Sequence, residues 1–227
     1  MVTTWIFDLD DTLVRSEPVW HPSEVDLYRH LGFKFDADFV ANYKGKNAME
    51  VARSIRDHVG SEVSVEECGA FLRSSLIRYS RTPGPEIIAG ATRLLERVYP
   101  RRALIASGSP RPVIDTVVEH FSWGELLHGW ISTEEVPAGK PAPDVFLEAA
   151  RRAGVVADEC VVVEDSRHGV RAARAAGMRC VGVPRIDSRE ICGEVDWCVH
   201  SLDDIDPPEI EAEAKTLPRR AKKAGEE

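Results

Sequence analysis

Three carboxylates fall within four positions of the stretch FDLDDTL, residues 7–13: Asp8, Asp10 and Asp11. They follow the apolar pair Trp5-Ile6, so the run reads as a buried strand ending in concentrated negative charge. Like charges this close repel, and a buried carboxylate is costly unless something pairs with it. Two readings meet that constraint: a solvated acidic turn, or a cluster that holds a cation and does chemistry. Three further segments bear on the choice. Ser107 follows the apolar run ALIA, Lys140 stands in GKPAPD, and Glu164 and Asp165 follow VVV. Two acidic clusters, a lysine and a hydroxyl are the components of phosphoryl transfer. The carboxylates would coordinate Mg²⁺, a hard cation that takes oxygen ligands, and the metal would cancel their mutual repulsion. Lys140 and the Ser107 hydroxyl would then hold phosphate oxygens.

Such residues need elements that carry them to one place. Short β-rich runs recur as TTWIFDL (3–9), RALIAS (102–107), GWIS (129–132), ECVVVE (159–164), RCVGV (179–183) and DWCV (196–199). Amphipathic helical patterns alternate with the later runs over 113–121, 143–154 and 168–177, the last two ending on glycine. Continuous apolar strands separated by such helices predict an α/β fold with a doubly wound, Rossmann-like parallel sheet. Ligands in such folds bind beyond the carboxyl ends of the strands. FDLDDT, SGS (107–109) and EDS (164–166) each fall at one of those ends. Residues 16–85 break the alternation, because 25–32, 48–60 and 64–80 all pattern as helices. The expected organisation is a discontinuous core, 1–15 and 86–206, with an inserted all-helical cap, 16–85. Residues 207–227 are almost wholly charged or small and read as a disordered tail.

A formal net charge of −9 argues against nucleic acid as a partner. No apolar run approaches the roughly 20 residues of a membrane span, and nothing at the start resembles a signal peptide. The five cysteines show no zinc spacing, and an odd count without an export signal fits reduced thiols and a cytoplasmic location. Cys160 and Cys180 sit in apolar surroundings and read as core residues, as do Trp5, Trp123 and Trp130. The seven histidines show no ligand spacing.

The four motifs together resemble the haloacid dehalogenase superfamily, in its helical-cap sugar-phosphate phosphatase and beta-phosphoglucomutase-like members. FDLDDTL is similar to the first family motif, IASGS to the second, GKPAPD to the third and VVEDS to the fourth, in the family's order. The resemblance implies that Asp8 is a nucleophile forming an aspartyl-phosphate, and that Asp10 is general acid and then general base. It implies Mg²⁺ held by Asp8, the Asp10 carbonyl and Asp165, with Glu164 either a ligand or a supporting residue. Ser107, the backbone at Gly108 and Lys140 would bind the transferring phosphate. Asp11, where many relatives have glycine, would be a turn residue, and Thr12 a supporting hydrogen-bond donor. In the cap, Lys46 and Asn47 of YKGKNAMEVA would face the substrate or form an exposed turn; Arg78 and Arg81 are weaker candidates.

A carboxylate at position 10 favours a phosphoester enzyme over the dehalogenase and phosphonatase branches, which lack it there. Phosphatase against mutase turns on the cap. The mutases have an arginine after the cap glycine and a hinge histidine, where this chain has Ala48 and Trp20, with His21 and Lys46 close by. The expectation is a phosphatase acting on a small phosphorylated metabolite, a sugar phosphate, with a mutase or a non-catalytic binding module as alternatives. The substrate's identity and the oligomeric state are not written in the sequence.

Overall fold

The computed structural model of the protein describes residues 2–43, 45–99, 102–184 and 188–216. Six parallel strands form one sheet: β1 (Thr4–Phe7), β4 (Arg102–Ser107), β5 (Gly129–Ser132), β6 (Cys160–Glu164), β7 (Arg179–Gly182) and β8 (Trp197–Cys198). Their order is β5-β4-β1-β6-β7-β8. The alternating pleat of β1 sends Trp5 and Phe7 to one face and Ile6 to the other. On the Trp5 face the core is completed by α4 (Ala91–Val98) and α5 (Arg111–His120). On the Ile6 face, α6 (Asp144–Ala153) and α7 (Arg167–Ala175) contribute Val145, Phe146, Ala149, Val170 and Ala173. Helices on both faces explain why the strands are continuously apolar rather than alternating.

Register fixes the position of the chemistry. β1 lies between β4 and β6, with Phe7 paired to Ile105 on one side and Val163 on the other. The chain just past β1 is therefore flanked by the ends of β4 and β6, and Asp8 N donates to Val163 O at 3.0 Å. A short antiparallel pair, β2 (Val14–Arg15) with β3 (Glu86–Ile87), carries the chain out of the sheet and back. Between them lie α1 (Glu17–His30), α2 (Ala48–Val59) and α3 (Val65–Arg81). These helices share their own apolar core, including Leu27, Ile55, Leu72 and Leu76, which also takes in Val113 from α5.

Two expectations are corrected. The tail was expected to be disordered from residue 207, yet Pro207–Glu213 form a helix, α9. Its charge hides two apolar residues four apart, Ile210 and Ala214, which are buried against the Trp5 face of the sheet. Glu211 accepts from Trp5 Nε1 at 3.1 Å, which fastens α9 to β1; the remaining part of the expected tail, 217–227, lies outside the described residues. Cysteines were expected as thiols, but Cys192 and Cys198 form a disulfide. The turn from the short helix α8 (Ser188–Cys192) to β8 brings their Cα atoms to 5.2 Å, inside the range this bond spans. Cys68, Cys160 and Cys180 are buried and take no part in that disulfide. Trp5 and Trp123 are fully buried, and Trp130 is half-buried. Among the described residues no helix is long and apolar enough to cross a membrane.

Candidate active site

Asp8 leaves β1 at the centre of the sheet and is buried. Lys140 reaches it from the loop before α6, where a turn closed by Ala142 N to Gly139 O (2.9 Å) sets the approach. Lys140 Nζ donates to Asp8 Oδ1 at 2.5 Å and to Glu164 Oε1 at 2.7 Å, and lies 4.9 Å from the centre of the Phe146 ring. The other Glu164 oxygen accepts from Ser166 N (2.8 Å) and Ser166 Oγ (2.9 Å) at the start of α7. Oxygens of Asp8, Glu164 and Asp165 lie within 4.8 Å of one another. Thr12 Oγ1 donates to Asp165 Oδ1 at 3.3 Å.

The charge count of this cluster is unbalanced: three carboxylates face one ammonium. Burial pushes the Asp8 carboxyl up to about 8, against the pull of Lys140 and with Glu164 and Asp10 adding to the rise. Asp165 is raised well above the ordinary range, by desolvation first and then by Glu164 and Asp8. Lys140 stays protonated, because its two carboxylate partners outweigh the cost of its own burial. A hard divalent cation held by these carboxylates would offset the surplus of negative charge, and their all-oxygen donor set fits such an ion.

Asp10 has a separate environment. Its Oδ2 accepts from Ser107 Oγ (2.9 Å) and Ser109 Oγ (2.8 Å), and its Oδ1 from Trp20 Nε1 (3.1 Å). The two aspartates of one strand end are thus differentiated: Asp8 is paired with a cation, and Asp10 is held by neutral donors. Asp11 has φ +59°, a left-handed conformation that glycine, asparagine and aspartate tolerate best. Its Oδ1 accepts from Ser16 N at 3.5 Å, which places it in the turn.

The cap candidates lie at the rim. Asn47 caps α2, its Oδ1 accepting from Glu50 N at 3.0 Å while Glu50 reaches back to Asn47 N at 3.3 Å. Its amide packs so tightly on Gly139 that a Cβ there would lie 2.5 Å from Asn47 Nδ2, and its backbone lies over Gly108. Lys46 Nζ instead donates to Ser54 Oγ at 3.4 Å on α2. Arg78 is paired with Asp26 within the helical insertion, and His21 packs edge-on against Phe35. A cleft of about 570 Å³ opens beside Gly108 and Gly139, walled by Met49, Glu66, Arg73 and Glu134. Arg73 Nε donates to Glu134 Oε1 at 2.8 Å.

Sequence reasoning did not single out Ser109, Ser166, Gly169 or the hydrogen bond of Trp20. A second hydroxyl at a strand end (SGS) and a serine opening a helix (DSRHG) were available as signals. Gly169 is required by a neighbour: a Cβ there would lie 1.6 Å from Glu164 Oε1.

The parallel sheet, the helical insertion and the carboxylate cluster at the strand ends agree with what the sequence comparisons find. The family model for haloacid dehalogenase-like hydrolases matches residues 5–183, and the chain belongs to that family. Hexitol phosphatase A of Escherichia coli (strain K12) is 31% identical over 205 residues, 88% of this chain and 92% of that protein. Fructose-1-phosphate phosphatase YqaB of the same organism is 28% identical over 183 residues, 78% of this chain and 94% of that one. Among solved structures, beta-phosphoglucomutase from Clostridium difficile matches with a TM-score of 0.82 at 22% identity, covering 95% of this chain and 98% of that one. At that identity the likeness is one of fold.

Proposed function

We propose that the protein is a Mg²⁺-dependent phosphatase that hydrolyses a small phosphorylated metabolite, a sugar or polyol phosphate, in the cytoplasm through an aspartyl-phosphate. The observation that carries this reading is the division of labour at the end of β1. Asp8, whose raised carboxyl would ionise once a divalent cation joins Lys140 beside it, attacks phosphorus. Asp10, held by Ser107, Ser109 and Trp20, gives a proton to the departing alcohol and then takes one from the water that hydrolyses the aspartyl-phosphate. Lys140, Ser107 and the backbone at Gly108 line the place of the transferring phosphoryl group. Asp8, Asp165 and the Asp10 carbonyl would hold Mg²⁺, with Glu164 fixing Lys140 beside them. The bound metal would supply charge neutralisation, letting an anionic phosphate meet an anionic nucleophile.

Hydrolysis is favoured over a mutase by the cleft beside the site. A mutase must hold a second phosphate there, and the arginine lining the cleft, Arg73, is already paired with Glu134. Relatives named hexitol phosphatase and fructose-1-phosphate phosphatase support the same substrate class. A metabolite panel with Mg²⁺, scored for both inorganic phosphate and isomer formation, tests the reading. Phosphate release that Asp8→Asn reduces at least about 10³-fold is the expected result. Full activity in Asp8→Asn would remove the nucleophile assignment, and isomerisation without phosphate release would make the protein a mutase.

A further inference from the structure

We infer that Trp20 is a positioning residue for Asp10, setting the acid/base from the helical insertion while the sheet holds its other oxygen; the inference rests on the phosphatase reading. The two Asp10 oxygens have donors of different origin. Ser107 and Ser109, both fully buried, come from the end of β4 and the residues just after it. They are braced by Ser109 N donating to Ser107 Oγ (2.9 Å) and Ser132 Oγ donating to Ser109 O (2.7 Å). Oδ2 is therefore tied to a rigid strand end. Oδ1 has Trp20 Nε1, from the first turn of α1. With only Oδ2 held, the carboxyl can rotate about its Cβ–Cγ bond; with both held, its plane is fixed.

The donor's chemistry matters as well as its place. A serine hydroxyl can turn and accept, but an indole N–H can only donate. The lone pair that faces Trp20 is thus closed to the catalytic proton, which must leave Asp10 from another site on the carboxyl. In the step concerned, an Asp8 oxygen bonds to phosphorus and the phosphorus–oxygen ester bond breaks. The Asp10 proton passes to the departing oxygen. A misdirected carboxyl slows this step in proportion to how much the leaving group needs that proton.

Trp20→Phe removes the N–H and keeps an aromatic ring, and two simple esters read the result with Mg²⁺ present. Benzyl phosphate releases an alkoxide that needs the proton, and p-nitrophenyl phosphate releases a phenolate that does not. The value of kcat/KM stops at the first irreversible step, so it isolates phosphoryl transfer to Asp8. It should fall about 10-fold or more for benzyl phosphate, a part of the 10²–10⁴ that general acid–base catalysis supplies. For p-nitrophenyl phosphate, whose phenolate departs without a proton, it should fall less than about 3-fold. The ratio of the two is independent of the fraction of protein folded. An equal loss on both esters, or no loss on either, overturns the inference while leaving the phosphatase reading intact. No hydrolysis of either ester by the unsubstituted protein overturns the phosphatase reading and this inference with it.

Discussion

Gly169→Ala should destabilise the protein although it replaces glycine by the best helix former inside the first turn of α7. Propensity alone predicts a gain of about 0.5–1 kcal/mol. The neighbourhood predicts the opposite: the new Cβ would lie 1.6 Å from Oε1, 1.9 Å from Cδ and 2.5 Å from Oε2 of Glu164. A carbon needs roughly 3.5 Å from such atoms, so the carboxylate must move by more than about 1.5 Å. A displacement of that size breaks its bonds to Lys140 (2.7 Å), Ser166 N (2.8 Å) and Ser166 Oγ (2.9 Å). Disrupting a buried ion pair costs about 3–5 kcal/mol, leaving a net loss of about 2–4 after the helix gain. For a chain of this size that is a fall in Tm of roughly 4–16 °C. Melting curves of the variant, with Glu164→Ala and the double variant, isolate the cause. Once the carboxylate is gone, alanine at 169 should cost nothing or stabilise by up to about 1 kcal/mol. An unchanged or raised Tm in the single variant would refute the reasoning, as would an equal loss in both backgrounds.

Lys140→Met removes the cation from a trio of carboxylates of which Asp8 and Glu164 are buried, so the Tm shift produced by Mg²⁺ should be larger in the variant than in the unsubstituted protein, with activity lost. A saturating ligand at 100 times its Kd supplies about 2.7 kcal/mol, which a melt resolves easily. In EDTA the protein should be more stable at pH 5 than at pH 8. Asp8, raised from 3.8 to about 8, contributes stability that is complete below its unfolded pKa and lost as pH rises through its folded one. Mg²⁺, if held there, would favour the ionised form and should flatten or reverse that slope; a melt series in EDTA that rises from pH 5 to 8 would contradict the burial argument. Gly139→Ala meets only the end of the Asn47 side chain, so it should shift stability by less than about 1 kcal/mol and raise KM, which melts and steady-state kinetics separate.

The sheet was legible because its strands are continuous apolar runs, and the site because each acidic or hydroxyl motif follows one of them. Asp11 could be set aside for a reason the backbone displays, since its φ of +59° serves the turn. Other features were illegible because they are tertiary. The donor role of Trp20 depends on how α1 lies over the end of β1, and nothing in SEPVW encodes an acceptor. The need for glycine at 169 resides in a side chain five residues earlier. Helix α9 escaped notice because composition averages over a segment, whereas Ile210 and Ala214 need only line up on one face. The disulfide required knowing that the chain turns back between Cys192 and Cys198.

The central place of β1 gives the catalytic site a history as well as a geometry. The ammonium partner of Asp8 lies 132 positions later in the chain, and the carboxylate that orients that ammonium follows 24 beyond. Contacts so far apart in sequence form slowly, after the loops between them have closed. A ribosome-bound or truncated fragment that ends before β6 contains Asp8 and Lys140 but lacks Glu164 and Asp165. Enzymatic activity in this chain is therefore a late-arriving property, and its recovery during refolding should trail the appearance of helix signal by circular dichroism.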